Sequence, residues 1–94
     1  MSTDSPTRSY PDGESVCRVC GYDDGSVFWE GGWPTQMICP CCANESDVAD
    51  TSVRGVRNYR GWWAGKGAPW WQPKERPEGW DIFRQLARIP EEWR

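Results

Sequence analysis

The sequence predicts a small metal-bound α+β fold, a β-hairpin carrying two cysteine knuckles followed by two short C-terminal helices. Three observations carry this. All five cysteines fall between Cys17 and Cys42, four of them in paired spacing. Leu, Ile, Val and Phe number only twelve in 94 residues, whereas Trp numbers eight. Apolar residues recur at helical spacing only in the second half of the chain. Aliphatics this scarce cannot build a core, and read alone they would suggest disorder. The net charge of only −3 opposes that. So do the tryptophans, since each buried aromatic removes roughly 150–250 Å² from water. A chain this short still needs a staple, and the cysteines supply one.

The elements follow in order. Residues 1–14 are polar, with two prolines and no apolar run, and read as a disordered or loosely attached arm. Residues 15–45 hold both knuckles and read as the metal-binding ribbon. Val27 to Glu30 has strand composition, Gly31-Gly32 is a hairpin turn signal, and Thr35 to Ile38 forms the return strand. Residues 46–94 read as a Trp-rich helical extension packed on the ribbon. A helix is expected from about Asp47 to Ala64, capped by Ser46 or Asp47. Val53, Val56, Tyr59 or Arg60, and Trp63 give it one recurring face. Gly55 inside it costs about 1 kcal/mol against Ala. A loop with Pro69, Pro73 and Pro77 follows. A second helix is then expected from about Glu78 to Arg88, with Trp80, Phe83, Leu86 and Ile89 on one face and Pro90 at its end.

The chemistry sits in the cysteines. Cys17-x-x-Cys20 and Cys39-x-x-Cys42 are separated by eighteen residues, the spacing of a zinc ribbon. Two residues between cysteines form a tight turn that aims both thiolates at one point. Gly21 supplies the positive φ that such a turn's exit commonly needs. Two knuckles joined by a hairpin complete a tetrahedron, so Cys17, Cys20, Cys39 and Cys42 are the expected ligands of one structural Zn²⁺, with iron the less favoured ion. A redox or disulfide role is the alternative, but a redox C-x-x-C belongs at a helix start within a βαβ unit. Cys41 is spare, either a small buried hydrophobe or a reactive thiol, and exchange with Cys42 as fourth ligand stays open. A four-Cys site is closed to water and therefore structural or electron-transferring, not hydrolytic.

Cys17-x-x-Cys20-Gly21-Tyr22 with Cys39-Pro40-x-Cys42 resembles the two knuckles of rubredoxin-type metal folds, whose members carry iron for electron transfer or zinc for structure. The loop between the knuckles is shorter than in typical rubredoxins, and Ala43 stands where Gly is usual. The wider pattern includes Asp23-Asp24-Gly25, Trp29, Gly32, the Cys39-Pro40-Cys41-Cys42 string, Val56-Arg57-Asn58-Tyr59-Arg60 and the Trp-rich tail. It is similar, over residues 15–94, to small bacterial cysteine-rich proteins of the CPCC type. That resemblance implies a companion of a bacterial toxin system, with an immunity or adaptor role and a larger toxin or enzyme as partner.

Composition narrows the function further. The chain has no His, which excludes Ser-His-Asp triads, Cys-His dyads and His-ligated catalytic zinc, and the expectation is no enzyme. The paired acids Asp23 and Asp24 precede Gly25, the signature of a turn, although they also offer an acidic contact to a partner. The polar start predicts no signal peptide. No stretch approaches the ~18 apolar residues of a membrane span, so a cytoplasmic, membrane-free protein is expected. Most tryptophans should pack as core. Neighbours such as Trp62-Trp63 and Trp70-Trp71 point in different directions, however, so one of each pair should reach the surface. Trp62, Trp70 and Trp71 are therefore the candidate protein-binding residues. A second reading joins them to Arg54, Arg57, Arg60 and Lys66 as a face for single-stranded nucleic acid. Residues 1–50 carry a net −7 and residues 51–94 a net +4. The pI of about 4.8 speaks against nucleic acid, whose domains usually exceed ~9.

Overall fold

A computed structural model describes residues 13–94; most of the expected arm, residues 1–12, lies outside the described residues. The fold is α+β. Strands β1 (Gly13–Glu14), β2 (Trp29–Glu30) and β3 (Trp33–Pro34) form one antiparallel sheet in that order. Helix α1 (Val53–Gly65) and the short helix α2 (Ile82–Leu86) follow, with 3-10 turns at Pro73–Glu75 and Glu91–Trp93. Gly13 and Glu14, the last two residues of the expected arm, pair with Glu30 and Trp29.

The hairpin is tighter than its composition suggested. Trp29 pairs with Pro34 and Glu30 with Trp33. Gly31 and Gly32 take φ of 59° and 84°, the two positive values that match a two-residue turn to strand twist. Side chains alternate as a pleat requires: Trp29 is buried, while Glu30 and Trp33 face solvent. The return strand does not run from Thr35 to Ile38. Gln36 has φ +66° and gives its backbone N–H to Ser46 Oγ at 2.8 Å, which breaks the ladder. Ile38 instead bridges Glu45 across the second knuckle.

Helix α1 starts six residues later than expected. Ser52, not Ser46 or Asp47, is its cap and accepts from the Gly55 N–H at 3.0 Å. The segment before it is tied up elsewhere. Asp47 has φ +86°, and its N–H donates to Asp50 Oδ1 at 2.7 Å. Asp50 Oδ2, in turn, accepts from Trp29 Nε1 at 2.8 Å. Gly55 has a reason to be there: a Cβ would lie 2.7 Å from the Ala49 carbonyl oxygen. Val56 and Trp63 bury the inner face of α1, and the Trp63 indole N–H donates to the Pro69 carbonyl.

Helix α2 is also shorter than expected, because Gly79 adopts φ +70° and Asp81 caps the helix at Phe83 and Arg84. Its apolar face is corrected too. Gln85 and Ile89 are buried and Ile82 and Leu86 partly so, whereas Phe83 is 78% exposed.

The core joins ribbon and extension. Cys17, Val19, Cys20, Phe28, Trp29, Cys39, Cys41 and Cys42 pack with Val56, Trp63 and Ala68, and with the partly buried Trp70, Trp80 and Trp93. Cations seal its edges. The Arg18 guanidinium lies 4.0 Å from both the Trp29 and the Trp93 ring centroids. It also makes a bidentate pair with Glu14 and a bond to the Asp50 carbonyl. Lys66 sits over Trp62 at 3.6 Å and Arg76 over Trp80 at 5.3 Å. Four such contacts in residues 13–94 exceed the usual one per 70–80 residues, so Arg/Lys–Trp stacking substitutes here for aliphatic packing.

Candidate metal centre

The two knuckles repeat one hydrogen-bond pattern. Cys17 N–H donates to the Tyr22 carbonyl and Gly21 N–H to the Cys17 carbonyl, at 2.8 and 2.9 Å. Cys39 N–H donates to the Asn44 carbonyl and Ala43 N–H to the Cys39 carbonyl, both at 2.9 Å. Gly21 and Ala43 hold equivalent left-handed positions, with φ of 86° and 68°. Each turn folds back so that both of its thiols face the opposite knuckle.

The Sγ atoms of Cys17, Cys20, Cys39 and Cys42 lie within 4.8 Å of one another, and all four residues are buried. The closest cross-knuckle pairs are Cys17–Cys42 at 3.7 Å and Cys20–Cys39 at 3.6 Å. A tetrahedral ion with metal–sulfur bonds of ~2.3 Å places its sulfurs about 3.8 Å apart, so the cradle fits a metal ion. A disulfide would need ~2.05 Å, and all five cysteines are free.

The electrostatics point the same way. Hydrogen bonding from the Cys20 thiol, then from Cys39 and Cys42, holds Cys17 well below the ordinary thiol value. Burial pushes Cys20 and Cys42 well above it. Four thiolates held this close in a buried site require a cation among them.

Cys41 is fully buried but stands outside this group. Its Sγ accepts from Gln85 Nε2 at 3.3 Å, and the same amide donates to the Cys20 carbonyl at 3.1 Å. Gln85 Oε1 accepts from Trp80 Nε1 at 2.8 Å. Gln85 therefore ties α2 to both knuckles, a role that nothing in its sequence surroundings signals. Arg60 is the corresponding tie from α1. It donates to the Val19, Arg18 and Trp93 carbonyls at 2.6, 2.9 and 2.8 Å. Tyr59 donates its hydroxyl to the Cys42 carbonyl at 2.9 Å, and burial with the nearby Cys42 charge pushes its pKa up to about 12.

The candidate partner residues separate into two sets. Trp62 and Trp71 are exposed at 56% and 48%. Trp70 is partly buried against the core, edge-on to Tyr22 and Trp80, and its buried Nε1 has no hydrogen-bond partner among the described residues. A groove of about 160 Å³ runs along Trp62, Trp70 and Trp71, above Cys42. Asp23 and Asp24 are remote from it in role. Each accepts from a backbone N–H two residues on, at Gly25 and Ser26, and Asp24 also accepts from the Tyr22 hydroxyl. Of the basic face, Arg60 is committed as above, and Arg57 donates to the Arg94 carbonyl oxygen at 2.6 Å. Sequence reasoning did not find the Arg18 clamp, although a cation one residue after the first knuckle cysteine offered a faint cue.

No described helix is long and apolar enough to cross a membrane. The chain matches no protein-family model, no curated protein and no solved structure.

Proposed function

We infer that the protein is a small zinc-stapled protein–protein interaction module, serving as an immunity or adaptor protein of a bacterial toxin system. The observation that carries the first part is the pairing of a closed, four-thiol cradle with tryptophans left in solvent beside it. The toxin-system role rests on the family resemblance of the CPCC string and its surroundings alone.

Zinc is favoured over iron by burial. All four ligand residues are at most 2% exposed, and an electron carrier needs its metal close to the surface. Zinc instead contributes folding energy outright, of order 10 kcal/mol or more, in a fold whose three strands are two residues each. The lack of His and the engagement of Asp23 and Asp24 in turns support a role without catalysis. The nucleic-acid reading loses two of its four cations, because Arg57 and Arg60 bind backbone carbonyls.

Native mass spectrometry of the tagged protein drawn from its own cell lysate tests this. The expected result is one zinc retained and a stoichiometric protein partner. Iron in the mass, with a red colour that bleaches on reduction, would move electron transfer to the front. Co-purifying nucleic acid that leaves steeply with salt would establish the other reading.

A further inference from the structure

The groove over Cys42 is bounded by Tyr59, Trp62 and Lys66 of α1 and by Trp70 and Trp71 of the following loop. Its volume of about 160 Å³ falls below the ~300–1,000 Å³ of small-molecule sites, so it takes one large side chain and not a cofactor. Exposed tryptophan beside a cavity is the composition of an interface anchor point.

Charge says what approaches it. Residues 53–76, which build the two walls, carry six cations against one acid, Glu75. Arg57 and Arg60 are committed to backbone carbonyls. Arg54, Lys66, Lys74 and Arg76 form no ion pair with any described residue; the one ion pair among the described residues joins Arg18 to Glu14. Lys66 itself lines the groove, its ammonium resting on the Trp62 face. The geometry points to an acidic polypeptide segment as the occupant, with one large apolar side chain seated against Trp71 and Trp62 and carboxylates meeting Lys66. A nucleic-acid strand fits less well. A row of phosphates needs several free cations in line, whereas Lys66 is, among the described residues, the one cation lining the groove. A short peptide needs only a seat for one side chain and a single ammonium beside it. This inference rests on the interaction-module reading and names the chemistry of the partner at one face.

The test uses the metal-loaded full chain and the eight indole N–H signals in nitrogen–proton NMR. The probes are a nine-residue peptide with Asp and Glu around a central Phe, the same peptide with Lys for every acid, and a nine-nucleotide oligothymidine. The acidic peptide is expected to move the Trp62 and Trp71 signals and leave Trp29 and Trp63 in place. Trp71→Ala should weaken it about thirtyfold or more, the scale of an anchor residue. Lys66→Met, which keeps the stem over Trp62, should weaken it about two- to fivefold, the scale of an exposed charge pair. Trp71→Phe serves as the milder variant, and retained metal with unmoved Trp63 certifies the fold in each case. Tighter binding of the lysine peptide or the oligonucleotide overturns the assignment, as does an acidic peptide that moves neither indole. Binding that moves only Trp33 overturns the groove but leaves an interaction module standing, whereas a chain that holds no metal defeats the earlier reading itself.

Discussion

Ala43 and Gly21 occupy equivalent places in the two knuckles, and the structure predicts opposite outcomes when their identities are exchanged. Ala43 sits at φ +68°, a left-handed position that costs an L-residue about 1–2 kcal/mol. Glycine removes that cost but gives back roughly 0.4–1 kcal/mol through the freedom it adds to the unfolded chain. Ala43→Gly should therefore stabilise the protein by about 0.5–1 kcal/mol, a rise of about 0.4 M in the urea midpoint at a slope of about 2 kcal/mol/M. At Gly21 the arithmetic reverses. A Cβ there would lie 2.0 Å from the Gln85 carbonyl oxygen and 3.3 Å from Ile89 Cγ1, at φ +86°. Strain and forced displacement of α2 add, and Gly21→Ala should cost about 2–5 kcal/mol. Urea unfolding at fixed free-metal concentration, followed by far-UV circular dichroism, measures both. A midpoint that falls or stays put in Ala43→Gly would refute the equivalence of the knuckles. A Gly21→Ala variant as stable as the parent would refute the contact with α2.

Three further outcomes follow from the same geometry. Cys41→Ser should keep one bound metal per chain, while Cys42→Ser should lose most of its affinity, as read by competition with a chromogenic chelator. Tyr22 and Tyr59 are both pushed up to about 12, by burial first and then by Asp24 or the Cys42 charge. Each phenol is raised above its unfolded value of about 10, so its stabilising effect is complete below pH 10 and lost as pH climbs towards 12; absorbance titration at 295 nm should show these two tyrosines ionising late and together with unfolding, and ionisation near pH 10 in the folded chain would contradict the burial. Arg18→Lys should cost about 1–3 kcal/mol in the same urea assay, because an ammonium cannot stack flat between Trp29 and Trp93 while gripping Glu14 in two places.

What the sequence made legible was chemistry at short range. The two C-x-x-C turns dictate their own local geometry, so the four thiols that could hold an ion were legible, and Gly31-Gly32 marked the hairpin turn. The split of Trp62 from Trp63 and of Trp70 from Trp71 followed from direction alone: Trp62 and Trp71 reach solvent, and their neighbours lie deeper. The starts of the two helices were misplaced for different reasons: Gly79 and the Asp81 cap delay α2. Before α1, Ser46 and Asp47 resemble caps, yet Ser46 Oγ accepts from the distant Gln36 N–H and the Asp47 N–H donates to Asp50, which is itself held by Trp29. Phe83 looked apolar-facing by spacing, but Gln85 takes the buried place because its amide bridges Cys20, Cys41 and Trp80. A polar residue that belongs inside only because of its partners leaves no periodic trace.

The bridge made by Gln85 has a consequence for time as well as shape. As the chain is made from its N-terminal end, both knuckles emerge some forty residues before α2, so an ion could enter the cradle while one side is still open. Helix α2 then arrives, sets its carbonyl against Gly21 and closes the site from behind. On this order an ion would load early and be sealed late. Exchange of the bound ion with a labelled one should then be paced by the detachment of α2, a local opening, and not by the strength of any single metal–sulfur bond. Shortening the chain before Ile82 should quicken that exchange while leaving the ligands themselves untouched.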